Sequence, residues 1–212
     1  MQLKGESNTL TPTSAAADDN TSRPPSGEEH SYDLIVYGAT GVVGQIVARY
    51  LYIHYKNHVK VILSGRSERK LQELQTQYPF DIVECNSAEY EECTQLAALL
   101  APTGCMINLA GPYLTSGGAN IVKACVEAKV GICDISGEIP FCRDNIIQHH
   151  TQAVEHGVRI VKFSGHDSLF FSMVINQLAE KLLRNREQLV KVELFDYIVS
   201  QPSLGTIKTA FQ

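Results

Sequence analysis

From Tyr32 onward the chain alternates between two hydrophobic rhythms. Residues 33–37 (Asp-Leu-Ile-Val-Tyr) form a short apolar run that ends in glycine, as a buried parallel strand does. Val43, Val47, Tyr50 and Leu51 then recur at helical spacing, which predicts one apolar face on a helix starting near Gly41. The pattern repeats along the chain. Residues 59–63 predict a second strand and 68–77 a helix, and 81–85 predict a third strand, followed by an amphipathic helix through Leu96, Leu99 and Leu100. Residues 105–109 predict a fourth strand and 119–128 its helix. Residues 130–135 and 158–163 supply two more strands, with a helix over 146–156 between them. Because β-α-β crossovers are right-handed and short loops join neighbours, this alternation predicts an α/β fold: a doubly wound, parallel Rossmann sheet.

The rhythm changes at both ends. Residues 1–31 are rich in Ser, Thr, Asn, Pro, Asp and Glu and nearly free of large apolar side chains, so they are expected to be a disordered tail. Residues 32–167 make the predicted dinucleotide-binding domain. Beyond it, a longer helix to about Arg184 and a strand over 190–199 predict the start of a second, incomplete α+β unit spanning 168–212. No repeat of fixed period is present.

Composition narrows the function classes. A net charge of −5 and a pI near 5.8 give no general attraction to nucleic acid or anionic lipid. The six cysteines contain no C-x-x-C pair, which fits reduced thiols in a reducing compartment. The first ten residues lack the apolar stretch of a secretory signal, the N-terminal region is too acidic for a mitochondrial presequence, and no stretch approaches the ~20 apolar residues of a membrane span. A cytoplasmic protein is expected. His149 and His150 are adjacent, hence on different helix faces, and His156 has no matching acid or thiol, so no metal site is expected and surface imidazoles are the reading. Cys125, Cys133 and Cys142 lie in or beside apolar segments and read as core thiols.

The sharpest motif is Gly38-Ala39-Thr40-Gly41-Val42-Val43-Gly44, placed directly between the first strand and the first helix. Gly38 permits the tight turn, Gly41 lets the backbone approach a pyrophosphate, and Gly44 lets the helix pack closely on the sheet. The helix start then offers unpaired N–H groups and a partial positive charge to phosphate. The end of the second strand selects the nucleotide. A site for NAD carries Asp or Glu there to bind the ribose 2′-hydroxyl. This chain carries Ser64-Gly65-Arg66, and the planar Arg66 guanidinium suits a 2′-phosphate, so NADP is expected over NAD. Tyr52 and Lys56 spell the Y-x-x-x-K pair of short-chain dehydrogenases, but they fall at the far end of the first helix, away from the strand carboxyl ends where ligands bind, and read as coincidence.

Three further motifs follow later strands: Asn108-Leu-Ala110-Gly111-Pro112-Tyr113, Cys133-Asp134-Ile-Ser-Gly-Glu138, and Gly165-His166-Asp-Ser168. With the glycine motif and S-G-R-S-x-x-K-L, these resemble the saccharopine dehydrogenase-like oxidoreductases, over residues 32–212. The resemblance implies that residues 38–44 and 64–66 hold the dinucleotide, that Cys85 and Asn86 flank the adenine, and that Asn108, Ala110, Gly111, Pro112 and Tyr113 line the nicotinamide side. Two positions depart from the family pattern: Asn86 stands where Asp is usual, and His166 stands where the family has phenylalanine. The family also continues through an α+β domain that completes the substrate site and often the dimer, so the chain reads as C-terminally truncated, and a homodimer is one expected assembly.

Hydride transfer also requires a group to manage a proton. Asp134, Glu138 and His166, at neighbouring strand ends, are the candidates. An imidazole, with its unperturbed pKa at about 6.5, suits proton exchange best, while D-x-S-G-E and G-H-D-S also suit turns and helix caps. Two functions follow. One is an NADP-dependent oxidoreductase acting on a small molecule, lipid-derived or an amino-acid conjugate. The other is an NADP-binding scaffold or regulator without turnover, peripherally attached at lipid droplets or membranes, as the resemblance to eukaryotic members implies.

Overall fold

The computed structural model describes residues 32–100 and 104–195. The expected tail over 1–31 and most of the strand expected over 190–199 lie outside the described residues. Six strands alternate with helices: β1 (Leu34–Tyr37), α1 (Val42–Tyr55), β2 (Val61–Gly65), α2 (Glu68–Gln77), β3 (Asp81–Glu84), α3 (Tyr90–Ala98), β4 (Cys105–Asn108), α4 (Gly118–Glu127), β5 (Gly131–Asp134), α5 (Ile139–His156) and β6 (Ile160–Val161). A π-helical turn (His166–Phe170) then leads into α6 (Phe171–Arg184). The sheet order is β3-β2-β1-β4-β5-β6, and every pairing is parallel. This is the doubly wound sheet that the alternation predicts.

Each side of the sheet has its own apolar core. Ile35, Ile62, Met106 and Ile132 point to one side, where they meet Leu96, Ile121, Val122, Val126 and Phe141 from α3, α4 and α5. Val36, Val61 and Leu63 point to the other and meet Ala48, Leu51, Leu71 and Leu74 from α1 and α2.

Several local expectations are corrected. On α1 the buried residues are Gly44, Ala48 and Leu51, whereas Val43 and Tyr50 are exposed. The glycine sets that face: its missing side chain lets α1 lie against the sheet, and a Cβ there would sit 2.3 Å from the Gly38 carbonyl oxygen. α5 begins seven residues earlier than expected, at Ile139, because Pro140 sits in its first turn, where proline's missing N–H costs nothing. β6 has only two residues, since Phe163 takes a positive φ of 55° and breaks the extended run. Residues 190–195 form no strand. His149 is buried rather than on the surface, because α5 turns it inward with Phe141, Cys142, Asn145 and Ala153.

Candidate functional site

The strand order reverses between β1 and β4, and in open α/β sheets ligands bind at the carboxyl edge of that point. Gly38 leaves β1 with φ of 82°, a conformation that needs glycine. Its N–H and that of Ala39 both donate to the Ser64 carbonyl, at 2.8 and 3.0 Å, which closes the turn against β2. The Gly41 N–H donates back to Gly38. Gln45 makes the first bond of α1, to the Gly41 carbonyl, so the N–H groups of Val42, Val43 and Gly44 have no acceptor one turn earlier. No side chain caps this helix start, and no acid lies in its first turn. Val42 and Val43 are exposed there, and a Cβ at Gly41 would approach only the Gly38 oxygen, at 3.3 Å. The result is an open anion cradle.

Thr40 reaches across to β2, where its hydroxyl lies 3.6 Å from the position a Cβ would take on Gly65. Ser64 is fully buried, and its hydroxyl donates to Val83, tying β2 to β3. Arg66 follows, exposed, with no ion pair among the described residues, whereas Arg69 pairs with Glu73 on the surface of α2. Cys85 is buried at the end of β3 and Asn86 is exposed beside it, its side-chain oxygen accepting the Ala88 N–H.

Asn108 ends β4 beside Tyr37 and Asp134. Its side-chain oxygen accepts the Ala110 N–H, but its Nδ2 is buried without any partner. A buried amide donor left unpaired costs about 1–3 kcal/mol, so it marks a place where a ligand acceptor fits. The loop over 109–110 presses against Gly38, where a Cβ would meet the Ala110 nitrogen at 2.9 Å. The loop after β4 and the glycine turn after β1 are thus in contact. Beyond it, Gly111 and Pro112 are joined by a cis peptide, and Tyr113 is buried with its ring stacked on Phe141 at 5.3 Å. Its hydroxyl donates to the Asn108 carbonyl at 2.9 Å, and burial pushes its pKa up, which keeps it a neutral donor.

Asp134 and Glu138 are both buried and fully engaged. Glu138 accepts the Tyr113 and Leu114 N–H groups at 2.7 and 2.8 Å, one on each carboxylate oxygen. Asp134 accepts the Ser136 hydroxyl at 2.6 Å and the Lys162 ammonium at 2.7 Å, with Lys162 also lying over the Phe141 ring. His166 is exposed on the π-helical turn and stacks on Phe170 at 5.9 Å. The geometry thus brings residues 38–44, 64–66 and 108–113 to one edge. It ties Asp134 and Glu138 into the scaffold and sets His166 on the turn after β6.

The comparisons with known proteins agree with the fold. The profile of the saccharopine dehydrogenase NADP binding domain matches residues 34–161. The chain belongs to that family. NADP is its cofactor. A trans-acting enoyl reductase of Mycobacterium leprae is 28% identical over 168 residues, covering 76% of this chain and 38% of that protein. One from Mycobacterium tuberculosis is 31% identical over 157 residues, covering 71% and 36%. The chain therefore spans little more than a third of the length of these relatives. Among solved structures, saccharopine dehydrogenase (L-Glu forming) of Saccharomyces cerevisiae shares the fold, with a TM-score of 0.61 at 17% identity, covering 72% of this chain and 32% of that one.

Within this family domain, the Y-x-x-x-K pair has a structural place. Lys56 lies 4.5 Å over the Tyr52 ring, and Tyr52 packs on Tyr78 and Phe80 between α1 and α2, far from the carboxyl edge. Sequence reasoning missed several residues that shape the site. Tyr37 donates to the Cys85 carbonyl and accepts the Ser87 N–H, and Asn120 donates to Ser87 and Ala88, together fixing the loop after β3. Lys162 was also missed: a lone lysine just after a short edge strand carries no signal until its partner at the end of β5 is known. No helix among the described residues is long and apolar enough to cross a membrane.

Proposed function

We propose that this chain is the NADPH-binding part of a reductase that delivers hydride to an activated double bond of a small, lipid-related acyl substrate. The trans-acting enoyl reductases it resembles support that substrate class. The observation that carries the reading is the shared edge: an uncapped helix start, an exposed Arg66 at the end of β2, and a buried Asn108 amide with an unpaired donor. Gly41, Val42, Val43 and Thr40 hold the pyrophosphate, and Ser64, Gly65 and Arg66 hold the 2′-phosphorylated ribose. Cys85 and Asn86 border the adenine. Asn108 orients the nicotinamide carboxamide, with Ala110, Gly111, Pro112 and Tyr113 as the wall behind it. Bound there, the nicotinamide supplies the hydride. Asp134 and Glu138 hold that wall in shape, and His166, at the rim, exchanges the proton.

Titration of the protein with NADPH and NADH tests this. NADPH binds more tightly, and Arg66→Ala weakens NADPH by roughly 10- to 100-fold, the value of one or two charge-assisted bonds, while NADH is unchanged. NADPH oxidation in the presence of enoyl thioesters tests the substrate class. Equal affinity for both nucleotides would overturn the assignment of Arg66, and no oxidation with any enoyl compound would overturn the reaction. A second reading, an NADP-binding scaffold without turnover, draws on the engagement of both buried carboxylates in internal bonds. It is favoured if NADPH binds and no carbonyl, imine or enoyl compound oxidises it.

A further inference from the structure

Among the described residues, no helix lies over one half of one sheet face. Parallel sheets are normally covered on both faces. Here α3, α4 and α5 cover the first, while α1 and α2 pack over β1, β2 and β3 on the second. The pairing register shows what is left bare. Cys105 pairs with Leu34, Ile107 with Val36, Cys133 with Ile107 and Val161 with Cys133, so all four point to the α1 side. Cys105, Ile107 and Cys133 are only half-buried and Val161 is 48% exposed, whereas their neighbours Met106 and Ile132, facing α3 to α5, are at most 1% exposed.

The flank of α1 beside this strip is apolar as well. Tyr52 faces α2 through Tyr78 and Phe80. At 100° per residue, Val43, Val47 and Tyr50 lie on the opposite flank, toward β4. Tyr50 is 54% exposed, and Ile46 next to it 64%. The apolar spacing that marks α1 in the sequence therefore serves two surfaces, the core and this flank.

An amphipathic element hangs from the same edge. α6 follows β6 through the π-helical turn, and none of its residues is buried. Phe171, Val174, Ile175, Leu178 and Leu182 form one stripe along it, with Glu180, Lys181 and Arg184 among the polar positions outside that stripe. Its 14 residues match the 14 of α1. Three strands span roughly 10 Å centre to centre, about one helix diameter. A chain leaving β6 at the carboxyl edge must run back across a face to cover it, as α1 does after β1.

We infer that the strip formed by β4, β5, β6 and the Val43–Tyr50 flank of α1 is the docking surface for α6 of the same chain, hinged at the 166–170 turn. The docked helix completes the second layer of the sheet, with Val174, Ile175 and Leu178 over Ile107 and Cys133. This inference is independent of the reaction proposed above.

Cys105 and Cys133 report on the strip directly, because they are two of the residues that α6 would cover. Alkylation of the full chain with iodoacetamide, followed site by site by peptide mass spectrometry, should be slow at both. It should quicken at least tenfold in Val174→Asp/Leu178→Asp, at rates independent of protein concentration, with NADPH affinity retained. Hydrogen exchange of wild-type α6 provides a second reading that needs no variant: protection comparable to α1 is expected. Equal alkylation rates in both proteins, or α6 amides exchanging like those of an isolated helix, would overturn the inference. Thiol protection that grows with protein concentration would overturn it too, in favour of a second copy of the chain.

Discussion

The two halves of the sheet end very differently at the same carboxyl edge. Around β1, β2 and β3 the polar groups are backbone N–H groups at an uncapped helix start and one exposed guanidinium, left open to solvent. Around β4, β5 and β6 they are side chains, buried and bonded to one another: Glu138 to residues 113 and 114, Tyr113 to Asn108 and Ile135, and Asp134 to Ser136 and Lys162. Open groups bind a ligand at little reorganisation cost, whereas closed networks fix a shape. On the proposed function, the first half contributes affinity for the nucleotide, and the second contributes a rigid wall. The Asn108 amide donor, buried yet unpaired, sits on the boundary between them.

Two substitutions in the first half separate packing from ligand approach. A Cβ at Gly44 would fall 2.3 Å from the Gly38 oxygen and 2.6 Å from the Ala39 Cα, and backbone cannot yield as a side-chain tip can. Gly44→Ala should cost at least the ~3 kcal/mol upper end of ordinary overpacking and abolish NADPH binding. Gly41→Ala, with its nearest contact at 3.3 Å, should fold with a near-normal thermal midpoint yet bind NADPH at least tenfold more weakly. Similar losses of stability in both would mean the cradle is a packing feature only.

In the second half the expected losses are of stability first. Lys162→Met leaves the Asp134 carboxylate, 1% exposed, without its cation, and should destabilise the fold by about 3–5 kcal/mol in urea denaturation. Adding Asp134→Asn should restore most of it, because the pair is then removed whole. Glu138→Gln comes next, at about 2 kcal/mol, since an amide nitrogen must face one of the two N–H donors at residues 113 and 114. It should also weaken NADPH binding more than NADP-independent stability alone explains, because the wall moves. If NADPH affinity is unchanged, the wall is not part of the site.

The first half was the more legible in sequence, for a physical reason. Its determinants are local: glycines within seven consecutive residues, and Arg66 directly after a strand. The parallel, doubly wound sheet followed from alternation alone. The second half depends on partners far apart in the chain, such as Glu138 with residues 113 and 114, or Lys162 with Asp134, and no spacing rule announces them. Asp134 and Glu138 could be singled out as acids at strand ends, but proton chemistry and backbone clamping look the same in one dimension. The α1 face was partly misassigned because Val43 and Tyr50 share a helical period with Leu51 while pointing to the uncovered flank.

The smallest expected effect is a pH dependence confined to the closed half. His149 is buried on α5, and its pKa is lowered from the usual 6.5, chiefly by desolvation; Lys123 and Lys162 push it the same way and Glu127 opposes them. The unfolded chain therefore takes up the proton first as pH falls. Stability due to this group is fully present above about pH 6.5 and declines as pH drops from there toward the folded-state value. One proton limits the slope to about 1.4 kcal/mol per pH unit. Thermal midpoints of wild type and His149→Gln, compared between pH 8 and pH 5, should differ in slope below pH 6.5 and run parallel above it. Hydrogen exchange at the lower pH should loosen α5 and its neighbour α4 before α1 and α2. Loss of protection spread evenly over both halves would mean that the two halves, despite their different polar ends, unfold as a single unit.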